Sequence, residues 1–173
     1  MGVLKTGGMI LAVAVAAVLI AAATRSDVFR VQRSASIKAG PDRIFPLIND
    51  LHRFNTWNPF ERKAPNLKRS YSGPESGKGA AYAFDSGTIE IIDTAPPSKV
   101  TMTLHMLEPI ETRNTVDFIL QPKGDRTEVT WAMHGPVPYL AKIVHLFIDM
   151  DRMVGGEFEA GLASLKAIAE KTP

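Results

Sequence analysis

Few side chains in this sequence have the type and spacing that catalysis or metal binding requires. The four histidines, at positions 52, 105, 134 and 145, include no pair at a ligand spacing such as His-x-x-x-His. The chain has no cysteine, which excludes disulfides, thiol catalysis and thiolate metal sites. It also has no Gly-x-Ser-x-Gly nucleophile motif and no phosphate-binding loop. We therefore predict no catalytic residue, no metal site and no cofactor.

A few polar side chains still keep an enzyme under consideration. Side chains alternate between the two faces of a strand, and this alternation places Asn114 on the inner, apolar face. There it is placed to orient a ligand through one hydrogen bond. The same alternation places His134 on the outer face, directly before the Gly135-Pro136 turn. It is therefore either a solvated residue at the end of a strand or an acid/base residue at the entrance of a cavity. The carboxylates on the strands face outward, and no paired-carboxylate site is expected.

Composition and charge narrow the class of protein. The 173 residues are 45% hydrophobic and 22% charged, which suits one globular domain plus an additional segment. A net charge of +2, with no basic run interleaved with aromatics, argues against a nucleic-acid surface. The domain is expected to occupy residues 25–173.

The additional segment is residues 1–24. Residues 7–23 carry no charge and lie between Lys5 and Arg25, and 17 such residues are at the short limit for spanning a bilayer. This predicts a single-pass N-terminal transmembrane helix and a membrane localisation, with no side of the membrane assigned. A cleaved signal peptide, ending in the small residues Ala21, Ala22 and Ala23 and followed by export, is one alternative, and a buried soluble helix is another.

Strand patterns dominate the middle of the chain. Alternating apolar and polar residues, separated by glycine and proline turns, predict strands over 31–38, 67–72, 80–85, 88–94, 99–107, 111–120 and 127–134. The short connections favour antiparallel neighbours. A small helical pair over 41–54 interrupts the strands, and the Trp57-Asn58-Pro59-Phe60 turn follows, either folded onto the core or forming a pocket rim.

One long amphipathic helix ends the chain. Over residues 139–170, apolar side chains recur every three or four positions, among them Phe147, Phe158 and Leu165. The Gly155-Gly156 pair predicts a break, close packing, or room for a ligand in this helix. An apolar stripe of this length is buried only against an extended apolar surface, and the apolar face of the predicted sheet supplies one. The fold class is therefore α+β, a curved antiparallel sheet of about six or seven strands around a C-terminal helix.

The order of these elements resembles the START-like helix-grip (SRPBCC) superfamily, in its polyketide cyclase/dehydrase and lipid-transport branch. The resemblance covers residues 30–171. The strings that carry it are Ile37-Lys38-Ala39-Gly40-Pro41-Asp42-Arg43-Ile44-Phe45, Trp57-Asn58-Pro59-Phe60, Gly77-Lys78-Gly79, Thr127-Glu128-Val129-Thr130-Trp131 and Gly155-Gly156-Glu157-Phe158-Glu159-Ala160-Gly161-Leu162 with Leu165-Lys166. The very short turn between the strands of residues 80–95 departs from relatives and implies a smaller cavity or mouth.

The resemblance implies a cavity between the sheet and the final helix for a lipid, quinone or polyketide-like molecule. The lining residues it implies, together with Asn114 from the parity argument, are Trp57, Phe60, Tyr82, Phe84, Met102, Leu104, Asn114, Phe118, Trp131, Met133, Phe147, Phe158 and Leu162. A membrane-tethered binding or carrier domain is the favoured function. The alternatives are a cyclase or dehydratase-type enzyme using Asn114, Tyr82 or His134, and a stress or chaperone-partner domain with a closed core.

Overall fold

The computed structural model describes residues 2–63 and 68–171, and in this part of the chain an antiparallel sheet packs against a C-terminal helix. The helices are α1 (Gly2–Ala23), α2 (Pro41–Asn49), α3 (Leu51–Trp57), α4 (Pro59–Lys63), α5 (Tyr139–Val144) and α6 (Met150–Lys171). The strands are β1 (Val28–Ile37), β2 (Ser70–Ser72), β3 (Ala81–Phe84), β4 (Gly87–Ala95), β5 (Lys99–Met106), β6 (Thr112–Lys123) and β7 (Arg126–Pro136). The predicted strand of residues 67–72 is reduced to β2, and its first residue, Leu67, lies outside the described residues.

The sheet has the order β1-β7-β6-β5-β4-β3-β2, and every neighbouring pair is antiparallel. Strands β2 to β7 follow one another in space as they do in sequence, because short connections join them. The first strand crosses to pair with the last, with Val31 opposite Met133 and Arg33 opposite Trp131. This arrangement makes β7 an interior strand of the sheet, flanked by β1 and β6.

The core lies between the inner face of the sheet, the α2–α3 pair and α6. Inward side chains of alternating sheet residues are almost fully buried, as strand parity predicts, including Ile91, Met102, Phe118 and Trp131. Asp50 caps α3 by accepting hydrogen bonds from the backbone N–H of His52 and Arg53. This cap fixes α3 where its buried residues contact β6 and β7.

Helix α6 is held on the sheet by an ion-pair cluster and by a close approach at Gly155. The Arg33 guanidinium donates to the carboxylates of Asp151 (2.9 Å) and Glu159 (2.7 Å) on α6. Gly155 makes room for it, since a Cβ there would lie 2.1 Å from an Arg33 nitrogen. The helix is continuous through Gly155 and Gly156, so close packing at Gly155 accounts for the first glycine.

The predicted single helix over 139–170 is interrupted, but upstream of the glycines. Helix α5 ends at Val144, and α6 begins at Met150 after an irregular segment. The spacing of apolar residues continues through this segment, so periodicity alone does not reveal the break. One consequence is that Phe147, expected on the inner stripe, is 74% exposed.

The predicted N-terminal transmembrane helix is wrong, and so is the single-pass membrane localisation inferred from it. The predicted membrane attachment through this helix gains no support from the structure. Among the described residues, no helix combines the length and the apolar character needed to cross a bilayer. The uncharged part of α1 is residues 7–23, which is at the short end of the about 17–25 residues that a span requires. The C-terminal half of α1 lies against α5, where the Tyr139 hydroxyl donates to the Leu19 carbonyl (2.8 Å).

Candidate functional site

A cavity of about 250 Å³ opens between the inner face of the sheet, the α3–α4 segment and the first turns of α6. This volume is just below the range of about 300–1,000 Å³ usual for ligand pockets, so it suits a small molecule or the buried end of a longer one. Its wall is almost entirely apolar. The lining residues are Phe54, Asn58, Phe60, Glu61, Tyr82, Phe84, Ile89, Met102, Leu104, Met106, Val116, Trp131, Met133, Val154 and Phe158.

The Trp57-Asn58-Pro59-Phe60 turn both folds onto the core and forms a pocket rim, the two alternatives that the sequence leaves open. Asn58 ends α3, and its side-chain oxygen accepts from the Phe60 backbone N–H (3.2 Å), which starts α4 at Pro59. The change of direction sends Trp57 into the core, where it is fully buried. It leaves Phe60 lining the cavity while 45% exposed, as expected at a pocket rim.

Two polar groups of the cavity, Glu61 and Tyr82, lie on α4 and β3. The Tyr82 hydroxyl donates a long hydrogen bond to Glu61 (3.4 Å), and Glu61 forms an ion pair with Arg69. Burial, reinforced by the negative charge of Glu61, raises the pKa of Tyr82 well above its usual value. Tyr82 therefore remains a protonated hydrogen-bond donor throughout the physiological pH range.

Trp131 contributes a buried donor that the described residues leave without an acceptor. Its side chain lines the cavity and is 3% exposed, and its indole Nε1 has no hydrogen-bond partner. The other tryptophan differs, because Trp57 Nε1 donates to the Leu47 carbonyl (2.8 Å). An unsatisfied buried donor costs about 1–3 kcal/mol, so the Trp131 N–H is a feature that needs a physical explanation.

The structure brings most of the predicted site residues to one cavity. Those lining it are Phe60, Tyr82, Phe84, Met102, Leu104, Trp131, Met133 and Phe158. Trp57, Phe118 and Leu162 are buried in the packed core instead, where edge-to-face contacts join Trp57 to Phe118 and Trp131. Phe147 lies on the surface. Ligand binding by these residues stays a prediction.

The two further polar candidates lie away from the cavity lining. Asn114 is buried and inward, but its side chain sits against Gly135, where a Cβ would come within 2.2 Å of Asn114 Oδ1. His134 is on the outer face beside Asp117 (3.4 Å). Burial by itself raises the pKa of Asp117, but hydrogen bonds from Thr101 and the nearby Lys99 outweigh it and hold the pKa below its usual value.

Several lining residues were not predicted from the sequence. Ile89, Met106 and Val116 share the inward parity that identified their neighbours, so the strand pattern contained a signal for them. Phe54 and Val154 lie on apolar helix stripes that suggested only core packing. Glu61 gave no signal, because a charged residue in a short helix is normally solvated.

A seven-stranded antiparallel sheet packed on a C-terminal helix, with an apolar cavity between them, defines the START-like helix-grip class. This chain belongs to the polyketide cyclase / dehydrase and lipid transport family, whose model matches residues 28–170. No curated protein is similar enough in sequence to match the chain.

Solved structures show the same fold at low sequence identity. Protein MLL2253 from Mesorhizobium loti is 15% identical, with a TM-score of 0.60 over 84% of this chain and 99% of that one. The Aha1 dimer from Colwellia psychrerythraea is 17% identical, with a TM-score of 0.56 over 83% and 97%. Ginseng major latex-like protein 151 from Panax ginseng is 13% identical, with a TM-score of 0.57 over 83% and 99%. At these identities the likeness extends to the fold alone.

Proposed function

We propose that this chain binds, and carries, a small hydrophobic molecule in the cavity between its sheet and α6. The observation that supports this most strongly is an apolar void of about 250 Å³ at the position where the core would otherwise close. Apolar side chains that surround unoccupied volume forgo packing contacts, and an apolar guest would restore them. A closed-core stress or chaperone-partner domain gains no support from such a void.

Methionines give this cavity the capacity to adapt to its guest. Met102, Met106 and Met133 all contribute to the lining, and flexible thioether side chains repack around irregular shapes. For a guest of about 13 non-hydrogen atoms, a ligand efficiency of about 0.3 kcal/mol per atom gives about 4 kcal/mol, which is a dissociation constant of about 1 mM.

We favour binding over a cyclase or dehydratase reaction. Of the three polar residues that an enzyme required, only Tyr82 reaches the cavity, and its hydroxyl is protonated and directed to Glu61. A general base matched to neutral pH would need a pKa near 7, which Tyr82 does not have. Asn114 and His134 are outside the lining.

Binding is tested with a neutral fluorescent probe, N-phenyl-1-naphthylamine, whose emission rises in apolar surroundings. The full chain should enhance the emission saturably. Leu104→Trp, which fills the cavity from β5, should weaken probe binding at least tenfold. The matched control is Leu107→Trp, the same substitution at a 52% exposed position outside the lining, and it should bind as the unmodified protein does.

Two results would argue against the proposal. One is the absence of saturable enhancement with the unmodified chain. The other is equal probe binding by both tryptophan variants, with circular dichroism showing that both are folded, because the probe would then occupy another surface.

A further inference from the structure

Helices α1 and α5 present an apolar surface that is separate from the cavity. Twelve large apolar residues on it are 41–74% exposed, seven on α1 and five on α5 and the turn after it. Those five are Tyr139, Leu140, Val144, Phe147 and Ile148. Large exposed apolar patches mark sites of interaction. We propose that a second copy of this chain covers this surface, with Phe147 of each copy inserted between α1 and α5 of the other.

The two helices are fixed to each other, so the surface has a defined shape. The Tyr139 hydroxyl donates to the Leu19 carbonyl (2.8 Å). The Lys142 ammonium, which is almost fully buried, donates to the Arg25 carbonyl (3.1 Å) and pairs with Asp27. These contacts hold the end of α1 on α5 within one copy. A surface that is already ordered in this way loses less conformational freedom when a partner binds.

A groove and a protruding side chain make this surface complementary to itself. The groove lies between α1 and α5 and has a volume of about 330 Å³. Its lining is entirely apolar and consists of Ala14, Val15, Val18, Leu19 and Ile143. An apolar cavity of about 150 Å³ holds a benzene ring, so the groove has room for a phenyl group. Phe147 is the most exposed of the twelve residues and follows Ile143 by four positions. In a two-fold dimer the same patch serves both copies, so each Phe147 fills the groove of the other copy.

The exposed apolar area is sufficient for a stable dimer. If a fully exposed residue of this size presents about 200 Å², the twelve exposed fractions correspond to about 1,400 Å². A standard interface buries about 800 Å² on each partner. A second copy therefore needs to cover little more than half of this surface.

Charge does not oppose the approach of two copies. Residues 7–23 of α1 carry no charge, and the one charged residue of α5, Lys142, is paired with Asp27. Two copies that meet at these helices therefore bring no unpaired like charges together there. The same composition argues against a bilayer surface as the occupant, because a helix that lies on a membrane keeps a polar face towards water.

The state of assembly tests the proposal. Sedimentation velocity on the full chain at up to about 100 µM should show a dimer, since interfaces of standard size reach micromolar or lower dissociation constants. Phe147→Ser removes the inserted ring from both copies and should raise the dimer dissociation constant at least about 100-fold. The matched control is Leu107→Ser, at an exposed apolar position beyond β5, and it should assemble as the unmodified chain does. Both positions are exposed, so circular dichroism should show that both variants are folded.

Cross-linking tests where the two copies meet. The chain has no cysteine, so an introduced cysteine is the only thiol of its copy. Ile148→Cys places a thiol beside Phe147, and Val15→Cys places one in the groove. The two variants, one with a larger tag, are mixed and treated with bismaleimidoethane. They should form a cross-linked heterodimer, whereas Ile148→Cys mixed with Leu107→Cys should not.

Three results would overturn the proposal. One is a monomer throughout the concentration range. Another is an assembly that Phe147→Ser weakens no more than Leu107→Ser does, or that lacks the expected cross-link, because a different surface would then join the copies. The third is a monomer that floats with phosphatidylcholine vesicles and loses this binding in Phe147→Ser, because a lipid surface would then be the occupant. None of these results bears on ligand binding in the cavity, so the proposed function is tested separately.

Discussion

Replacing Gly161 by alanine places one methyl group where α6 closely approaches β7 and α4. A Cβ at this position would lie 2.6 Å from Trp131 Cζ3 and 2.9 Å from Pro59 Cδ. Neither neighbour moves freely, because Trp131 is stacked on Phe158 and packed beside Phe118. The helix must shift outward, or the cavity wall must rearrange. Gly161→Ala therefore tests whether α6 and β7 are in contact as described.

Gly156 provides the matched control on the same helix. It is exposed, and a Cβ there meets nothing within 4 Å. Alanine is favoured over glycine inside a helix by about 1 kcal/mol, so Gly156→Ala should stabilise the protein by roughly that amount. The same gain applies at Gly161, and it cancels when the two variants are compared. What remains is the overpacking cost at Gly161, about 1–3 kcal/mol.

Chemical and thermal denaturation measure this difference. Gly161→Ala should be less stable than Gly156→Ala by about 1–3 kcal/mol, which for a chain of this length corresponds to about 2–12 °C in Tm. Equal stability of the two variants would show that α6 does not approach Trp131 and Pro59 as closely as the structure has it. The position of α6 relative to Trp131 in the cavity wall would then be wrong as well.

Three further predictions concern single side chains. Because the folded state raises the pKa of Tyr82, its phenol should stay protonated at a pH where the unfolded chain ionises. The free energy of unfolding should therefore fall as pH rises above about 10. Tyr82→Phe should flatten this pH dependence in denaturant titrations, and an unchanged pH profile would contradict the prediction. The pKa of Asp117 is lowered in the folded state, so the stability that its carboxylate contributes should be present above about pH 4 and be lost as pH falls further. Asp117→Asn should make the free energy of unfolding less sensitive to acid. An equal response to acid in the variant and the unmodified protein would count against the Thr101 and Lys99 contacts. Asp50→Ala removes the cap of α3 and should cost about 1 kcal/mol, seen as a fall in Tm of about 2–4 °C, whereas no change would exclude a stabilising cap.

The sheet was predictable because its signals are local. Alternation of apolar and polar residues assigned inward faces to Met102, Trp131 and their neighbours, and the tight turns favoured antiparallel pairing in sequence order. The pairing of β1 with β7 has no comparable local signal, because it joins residues about a hundred positions apart in the chain. The strand patterns of the sequence therefore do not predict this pairing.

The boundary between filled core and open cavity was not predictable from parity. Phe118 and Met102 share one face of the sheet, yet Phe118 is packed against Trp57 while Met102 lines the void. Parity reports which side of a strand a residue occupies, and what fills the space beyond depends on distant elements. Here Phe54 and Trp57 of α3 pack on Phe118. Helix α4 brings Glu61, a residue without an apolar pattern, to the cavity lining.

The two ends of the chain show how composition misleads. The apolar run of residues 7–23 suggested a bilayer span, although its length was at the limit, and no described helix meets the requirement. The apolar stripe of residues 139–170 suggested one helix, although an irregular segment separates Val144 from Met150. At the C-terminal end, hydrophobicity indicated which residues favour apolar surroundings but not where each helix begins and ends.

The position of a bound ligand tests the central claim most directly. With methyl-labelled methionine, nuclear Overhauser effects from N-phenyl-1-naphthylamine should reach the methyl groups of Met102, Met106 and Met133, which line the cavity. The methyl group of Met153, 52% exposed and outside the lining, should show none. Contacts confined to Met153, or no contact to the three cavity methionines at saturating ligand, would contradict a binding site between the sheet and α6.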